Sequence, residues 1–347
     1  MPKLDFSAVP DILLEQYGPA IVDALNPGQV GLGNWLVPEQ TAMGRIMARG
    51  RMLIGGADGN DRYPRDWGVH AETAESQSFG PDDPYPLHQN ETYDKANLEW
   101  KREGISLEVD NLDRLTGGNA LRGGRNLLQQ DFEKKLKALI AGIEKKLFLD
   151  GTGNSNKDVT GFKAFLSNSN TYATIDQSGA TYWQALVDSS GGGLSKAKMD
   201  AVYEGLFDRN IDENSYEIWM PVNQFHRWQQ EFQGQIEYRA ASDATRQGMI
   251  PVYADGAVEI PIRLMKGVPS TEVWWMSMDD LELRFVDHTP EDELSNIRDE
   301  EKFHEGVPVG IEVVPTGKDS KGLFLKAYPQ LVCMNPKNFA IMTGLTP

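Results

Sequence analysis

The side chains that could do chemistry in this chain stand at spacings that do not let them act together. Five histidines, His70, His88, His226, His288 and His304, never fall at the one-turn spacing that sets two imidazoles on one metal ion. His226 sits beside Arg227 on the polar side of a predicted helix, so solvent is its expected environment. Adjacent acids such as Asp82-Asp83 and Asp279-Asp280 would share a proton only if their carboxyls converged, and in turns such pairs more often set backbone geometry. Gly31-x-Gly33 leads to Leu36 where a dinucleotide fingerprint needs its third glycine, and no strand precedes it. Gly317-Lys318 leads to Asp319 where a phosphate loop needs Ser or Thr, and Glu312 stands at its first glycine position. A Gly-x-Ser-x-Gly nucleophile elbow is missing. Cys333 is the sole cysteine, which excludes an internal disulfide and any thiolate zinc cluster. Turns and solvated faces account for all of these residues, so no enzyme, cofactor or metal is expected.

Composition limits the partners. A chain of 347 residues permits two or three compact units, or one large unit with extended attachments, at about 100 to 200 residues per domain. With 40% hydrophobic and 24% charged residues it has the means to build a core. The formal charge of −17 disfavours nonspecific binding to nucleic acid, which depends on Lys and Arg neutralising phosphates. It suits a plain acidic surface, or one that lies near DNA without adhering to it. No window approaches the roughly 18 consecutive apolar residues of a membrane span. Met1 to Pro10 lacks a basic segment followed by an apolar one, so a cytosolic product is expected.

Several elements must position whatever these residues do. Residues 1–48 read as an arm, with one amphipathic piece around Ile12, Leu13, Tyr17, Ile21 and Leu25. Across residues 49–103, Gly55-Gly56, Asp58-Gly59, Pro64, Gly80-Pro81, Pro84 and Pro86 interrupt every periodicity, far beyond the usual loop length. Trp67, Phe79, Tyr85 and Trp100 remain there as contact residues, which suits an extended two-stranded arm leaving the subunit and packing on a neighbour. Leu128, Phe132, Leu136, Leu139, Ile143 and Leu147 then recur at helical steps, predicting a helix over about 125–148 that buries one stripe. It stops at Asp150-Gly151-Thr152-Gly153-Asn154, residues that tolerate turn and left-handed backbone.

A second helix begins after Gly191 to Gly193, with Ser195 as N-cap, Leu194 stapled to Met199, and Met199, Val202, Tyr203, Leu206 and Phe207 on its buried face. A strand over 217–222 leads to a helix capped by Asn223 that points Phe225, Trp228 and Phe232 inward. Strands dominate afterwards: Val258 to Leu264 alternates, with Pro261 suggesting an edge, and Leu281, Leu283 and Phe285 alternate with Glu282 and Arg284. Beyond the charged stretch 291–305, a terminal pair spans 307–314 and 323–333. The fold class is α+β, with no regular parallel-sheet repeat.

In this order the elements resemble the major capsid protein of tailed bacteriophages, the Hong Kong 97-type capsid fold. The residues that carry the resemblance are Glu144-Lys145-Lys146-Leu147-Phe148-Leu149-Asp150-Gly151-Thr152-Gly153 with Thr160-Gly161-Phe162, then Gln330-Leu331-Val332-Cys333 with Asn335-Pro336 and Phe339, and Trp100-Lys101-Arg102 with Ile105-Ser106. Thr160 stands where the family often has proline. The resemblance implies an N-terminal arm over 1–48, an extended loop over 49–103, a peripheral domain over 104–190 with its spine helix, an axial domain over 191–290, a peripheral return over 291–338 and a C-terminal axial strand over 339–347. It implies copies of the chain assembled as pentamers and hexamers into an icosahedral shell in the bacterial cytoplasm. Portal and scaffolding proteins, and in some systems a decoration protein, are its implied partners, with DNA enclosed and no membrane. A cellular encapsulin-type shell and an unrelated soluble enzyme are the alternatives.

Some members of that family link subunits through a lysine near the tip of the extended loop and an asparagine on a neighbour. Here no lysine occurs between Lys3 and Lys95, so the outer loop lacks the amine nucleophile that such a bond needs. Boiled, detergent-treated particles are therefore expected to run as one band near 38.7 kDa, whereas a ladder of linked oligomers would contradict this and single out Lys95.

Overall fold

The computed structural model describes residues 41–54, 65–72, 92–110, 127–209, 215–231, 237–240, 249–255, 258–286, 303–304, 307–315 and 320–346. The amphipathic piece expected around Ile12 to Leu25, together with Phe79, Tyr85 and Phe232, lies outside the described residues. Helix α1 (Ala42–Arg49) opens the described chain. The long helix α2 (Leu127–Leu147) falls inside its expected span. It buries Leu136, Leu139, Ile140, Ile143 and Leu147 along one stripe, while the exposed line runs through Lys134, Ala138, Ala141 and Lys145. The side chains of Leu128 and Phe132 lie outside the described residues.

The stripe faces a three-stranded antiparallel sheet in the order β16 (Gly310–Pro315), β17 (Ser320–Ala327), β4 (Glu103–Asp110). In it Ile105 lies opposite Leu325 and Leu107 opposite Leu323. A second sheet sets β1 (Arg51–Ile54) parallel to β13 (Leu281–Phe285), which pairs antiparallel with β18 (Pro329–Cys333). The apolar run expected as one strand over 323–333 is thus two strands in different sheets, divided at Tyr328. Glu282 of β13, expected on a solvent face, is buried. Arg284 two residues on donates to it at 2.6 Å, which satisfies the charge where the strand is covered on both sides.

The third large sheet has seven strands in the order β7 (Leu186–Asp188), β19 (Ala340–Met342), β12 (Val273–Ser277), β8 (Tyr216–Met220), β11 (Val258–Leu264), β10 (Met249–Asp255), β9 (Glu237–Ala240). Its middle strands β8 and β12 are buried at every position. Side chains alternate between faces in a strand, and the two faces serve different cores. Trp219, Trp274 and Met276 join the core around the spine helix. Tyr216, Ile218, Met220, Val273 and Trp275 join a second core beneath α4 (Lys196–Phe207) and α5 (Val222–Glu231).

Pro261 does not mark an edge. β10 pairs with Val258 through Pro261 and β8 with Ile262 through Leu264, so each neighbour engages a different half of β11, and the strand changes partner at its proline. Helix α4 starts after Ser195 as expected, yet the serine side chain makes no capping hydrogen bond. Its Phe207 is 62% exposed instead of buried, because it points off the flank of the helix. Asn223 lies inside α5 and donates to the Ser270 carbonyl at 2.8 Å, so it ties the helix to a loop rather than capping it.

The spine ends where the two cores meet. Phe148 packs on Phe162 and Trp274, with ring centres 5.6 and 5.7 Å apart, and Phe162 stands edge-on to Trp219 at 5.3 Å. Phe162 begins the short helix α3 (Phe162–Phe165). Just before it, a Cβ on Gly161 would lie 2.4 Å from the carbonyl oxygens of both Leu147 and Leu149, a distance no side chain tolerates. A Cβ on Gly267 would lie 2.1 Å from the Phe148 ring. Between the spine and α3 the chain turns through Asn154, Ser155 and Asn156, all left-handed with φ of 50°, 58° and 64°, a conformation that asparagine tolerates best among non-glycine residues. Truncating Leu136 or Leu139 to alanine should cost about 2 to 5 kcal/mol, read as a lower urea midpoint of the unassembled subunit. Gly161→Ala should cost more than a surface substitution, since the obstructing atoms are backbone.

Candidate assembly surface

Brought together in space, the polar side chains of the described residues hold the fold. Among the described residues, no group of three or more His, Cys, Asp or Glu could hold a metal. His226 is exposed on α5. Cys333 is buried, and burial pushes its thiol well above the ordinary range, so it is not a reactive thiolate. The Tyr172 hydroxyl beside it accepts from the Cys333 amide at 2.7 Å and is likewise pushed up by burial. A shallow hollow of about 360 Å³ lies between β7 and α4. It is lined by Leu186 and Asp188 from the strand, by Ser190 just after it, and by Ala197, Lys198, Ala201 and Val202 from the helix.

Two buried contacts fix α1 to the rest of the subunit. The half-buried Glu144 of α2 accepts from the Ala42 and Met43 amides at 2.6 and 2.9 Å. It thereby satisfies two of the four unpaired N–H groups of that helix start, while Thr41 accepts from Gly44 at 3.2 Å. Arg45 grips the fully buried Glu217 of β8 through two nitrogens, with Nε at 3.0 Å. Arg263 and Arg49 stand 3.8 and 3.9 Å from the same carboxylate, and the Trp219 indole donates to it at 3.1 Å. A buried ion pair weighs desolvation against Coulomb attraction, and removing one partner is strongly destabilising. Sequence reading missed both acids, because each sits in an apolar pattern with its partner 102 or 172 residues away.

The described part of the segment expected as an extended loop is anchored on its own subunit. Strands β2 (Arg65–Glu72) and β3 (Thr92–Leu98) form the expected two-stranded ribbon. One face of it carries Trp67, Val69, Ala96 and Leu98 into the subunit's own core. Trp67, expected against a neighbour, packs on Trp183 of its own chain with ring centres 6.3 Å apart. The Asn97 amide donates to Ala173 at 2.9 Å, and the Tyr182 hydroxyl donates to Asp94. Lys101 donates to the Asn156 carbonyl at 2.6 Å. Lys146 of the spine bridges Glu103 and Asp158 at 2.7 and 2.9 Å. Trp100 is half-buried between these contacts. On the opposite face His70 stacks on its cross-strand partner Tyr93 at 4.8 Å, and Tyr93 is 63% exposed. Leu53, Leu149, Phe207, Val222 and Leu264 are the other large apolar side chains left in solvent among the described residues.

A long spine on a three-stranded sheet, a ribbon hung from its base and a two-sided sheet at its end make up the Hong Kong 97-like capsid fold, the architecture of a shell subunit. It is shared with the capsid asymmetric unit of cyanophage A-1(L), at a TM-score of 0.70 and 12% identity over 96% of this chain and 98% of that one. The capsid of the native GTA particle matches at a TM-score of 0.56 and 8% identity, covering 95% and 96% of the two chains. The holo-SrpI encapsulin of Synechococcus elongatus PCC 7942 matches at 0.55 and 7% identity over 98% and 95%. No curated protein sequence matches. The chain belongs to the SU10 major capsid protein family, whose model matches residues 118–346.

Burial raises the Glu144 carboxyl from 4.5 to about 6, against the lowering effect of its two amide donors. A carboxyl raised in the folded state binds its proton more tightly there, so its contribution to stability is full below about 4.5 and is lost as pH rises through about 6. Glu144→Gln should flatten this part of the profile, measured as the difference in unfolding midpoint between variant and wild type from pH 4 to 7. A constant difference across that range would contradict the assignment.

Proposed function

We propose that this major capsid protein builds the icosahedral head of a tailed phage, from pentamers and hexamers of the chain, and encloses the DNA genome without enzymatic activity. Its structural role in a capsid shell follows from the family; the head, its symmetry and its contents are the reading offered here. The observation that carries it is the coverage of the likeness: spine, loop ribbon and two-sided sheet align over 96% of the chain with a phage capsid subunit. The charge of −17 supports a surface along which packaged DNA slides instead of sticking.

In this reading residues 1–48 are the arm and 49–103 the extended loop. The spine with the β16–β17–β4 and β1–β13–β18 sheets forms the peripheral domain, and the seven-stranded sheet with α4 and α5 forms the axial domain. The peripheral return, expected over 291–338, is taken in this reading to begin with β13, a choice supported by the pairing of β13 with β18. Phe79, Tyr85 and the exposed face around Tyr93 are the loop contacts offered to a neighbour. A portal and a scaffolding protein complete the assembly in the host cytoplasm, with a decoration protein as a further partner. Expressed in bacteria, the full chain should elute as megadalton particles that electron microscopy shows as closed shells. Elution as a small oligomer both alone and with its scaffold would overturn the reading.

A further inference from the structure

Helix α4 carries an apolar projection on one flank and an apolar hollow on the other. Its core-facing residues Met199, Val202 and Leu206 point down onto the sheet. Successive residues turn by about 100°, so Ala197, Lys198 and Ala201 fall to one side of that direction, and Asp200, Tyr203 and Phe207 to the other. The contacts agree with this placement. The hollow of about 360 Å³ opens towards the edge strand β7. On the far flank Tyr203 packs on Tyr253 of β10 at 6.1 Å and on Phe207 at 6.3 Å, and Tyr253 donates to Asp200 at 2.6 Å.

Phe207 is 62% exposed, although its spacing continues the buried stripe. A cavity of roughly 150 Å³ holds benzene, so the hollow has room for a phenyl ring. Exposed Glu204 and Asp208 flank Phe207, while the hollow is lined by Lys198, whose ammonium donates to the Gly191 carbonyl, and by Asp188, whose carboxylate accepts from the Ser190 amide. A projection and a complementary recess on opposite flanks of one unit produce head-to-tail contacts, which close into rings where the rotation between copies closes and run on as filaments where it does not; a contact of one patch with itself would stop at a dimer.

We infer that Phe207 of one copy enters the hollow between β7 and α4 of the next copy and is a contact that closes the capsomer ring. This rests on the shell reading and assigns it a specific contact. The test joins Phe207→Cys and Ala201→Cys in one chain under oxidising conditions. The native Cys333 is buried and so does not interfere, and the two new thiols, on opposite flanks of one helix, cannot reach each other within a copy. Oxidised particles should give a ladder of linked oligomers on non-reducing gels, whereas monomers or dimers alone would overturn the contact. Separately, Phe207→Ser should leave the unfolding of the unassembled subunit unchanged and lower the yield of particles about tenfold, as loss of a central aromatic anchor does. Normal particles from Phe207→Ser, with no ladder from the cysteine pair, would sink the contact and leave the shell reading intact. Absence of particles from the unmodified chain, both alone and with its scaffold, would sink both.

Discussion

The rest of the subunit depends on one sheet being buried on both faces. Strands β8 and β12 have no solvent side, so every second residue must suit a different core. Trp219 and Trp274 are directly paired across the two strands and face the end of the spine, while Ile218 and Trp275 face α4 and α5. Gly267 leaves no Cβ in the way of the Phe148 ring, and Gly161 lets the chain pass against the carbonyls at the end of the spine. Aromatic pairs of this kind contribute about 0.5 to 1.5 kcal/mol each beyond the area they bury. The cluster around Phe148 and Phe162 therefore joins two halves that would otherwise be separate modules.

The same sheet accounts for the buried charge. Glu217 lies on the spine-side face of β8 with Trp219, two residues along, where no water reaches it. Arg45 satisfies it from α1, with Arg49 and Arg263 close by. Glu144 holds the start of the same helix from the spine side. A helix of eight residues is too short to be stable alone, so its presence is a consequence of these two acids and the apolar Met43 and Ile46 between them. The chain that leads into β1 is thereby fixed at its root to the spine and to the spine-side face of the seven-stranded sheet.

Assembly changes what counts as a sensible residue on the surface. Tyr93 and Phe207 are large aromatic side chains left in solvent by the single subunit, and the proposed shell would turn both towards neighbours. The loop ribbon combines both demands. Trp67, Val69, Ala96 and Leu98 hold its base to its own subunit, so the ribbon leaves in a defined direction and the ordering entropy of its base is met before any neighbour arrives.

The sequence by itself determined the elements whose burial is one-sided and local. The described part of the spine stripe, the turn after it, the pairing of β2 with β3 and the alternating strand over 258–264 were legible, since each is written within a few residues by period or backbone preference. Only the tertiary structure decided the rest. The run 323–333 reads as one strand because an apolar run does not say which sheet covers it, and the break at Tyr328 is set by β4 on one side and β13 on the other. Pro261 lies in a sheet interior because its strand changes partner there, and Phe207 follows the apolar period yet lies off the core. Glu144, Glu217 and Glu282 look like surface acids until the partners that bury them are in place. Periodicity records which face of an element is covered, but what covers it is set by residues a hundred or more positions away.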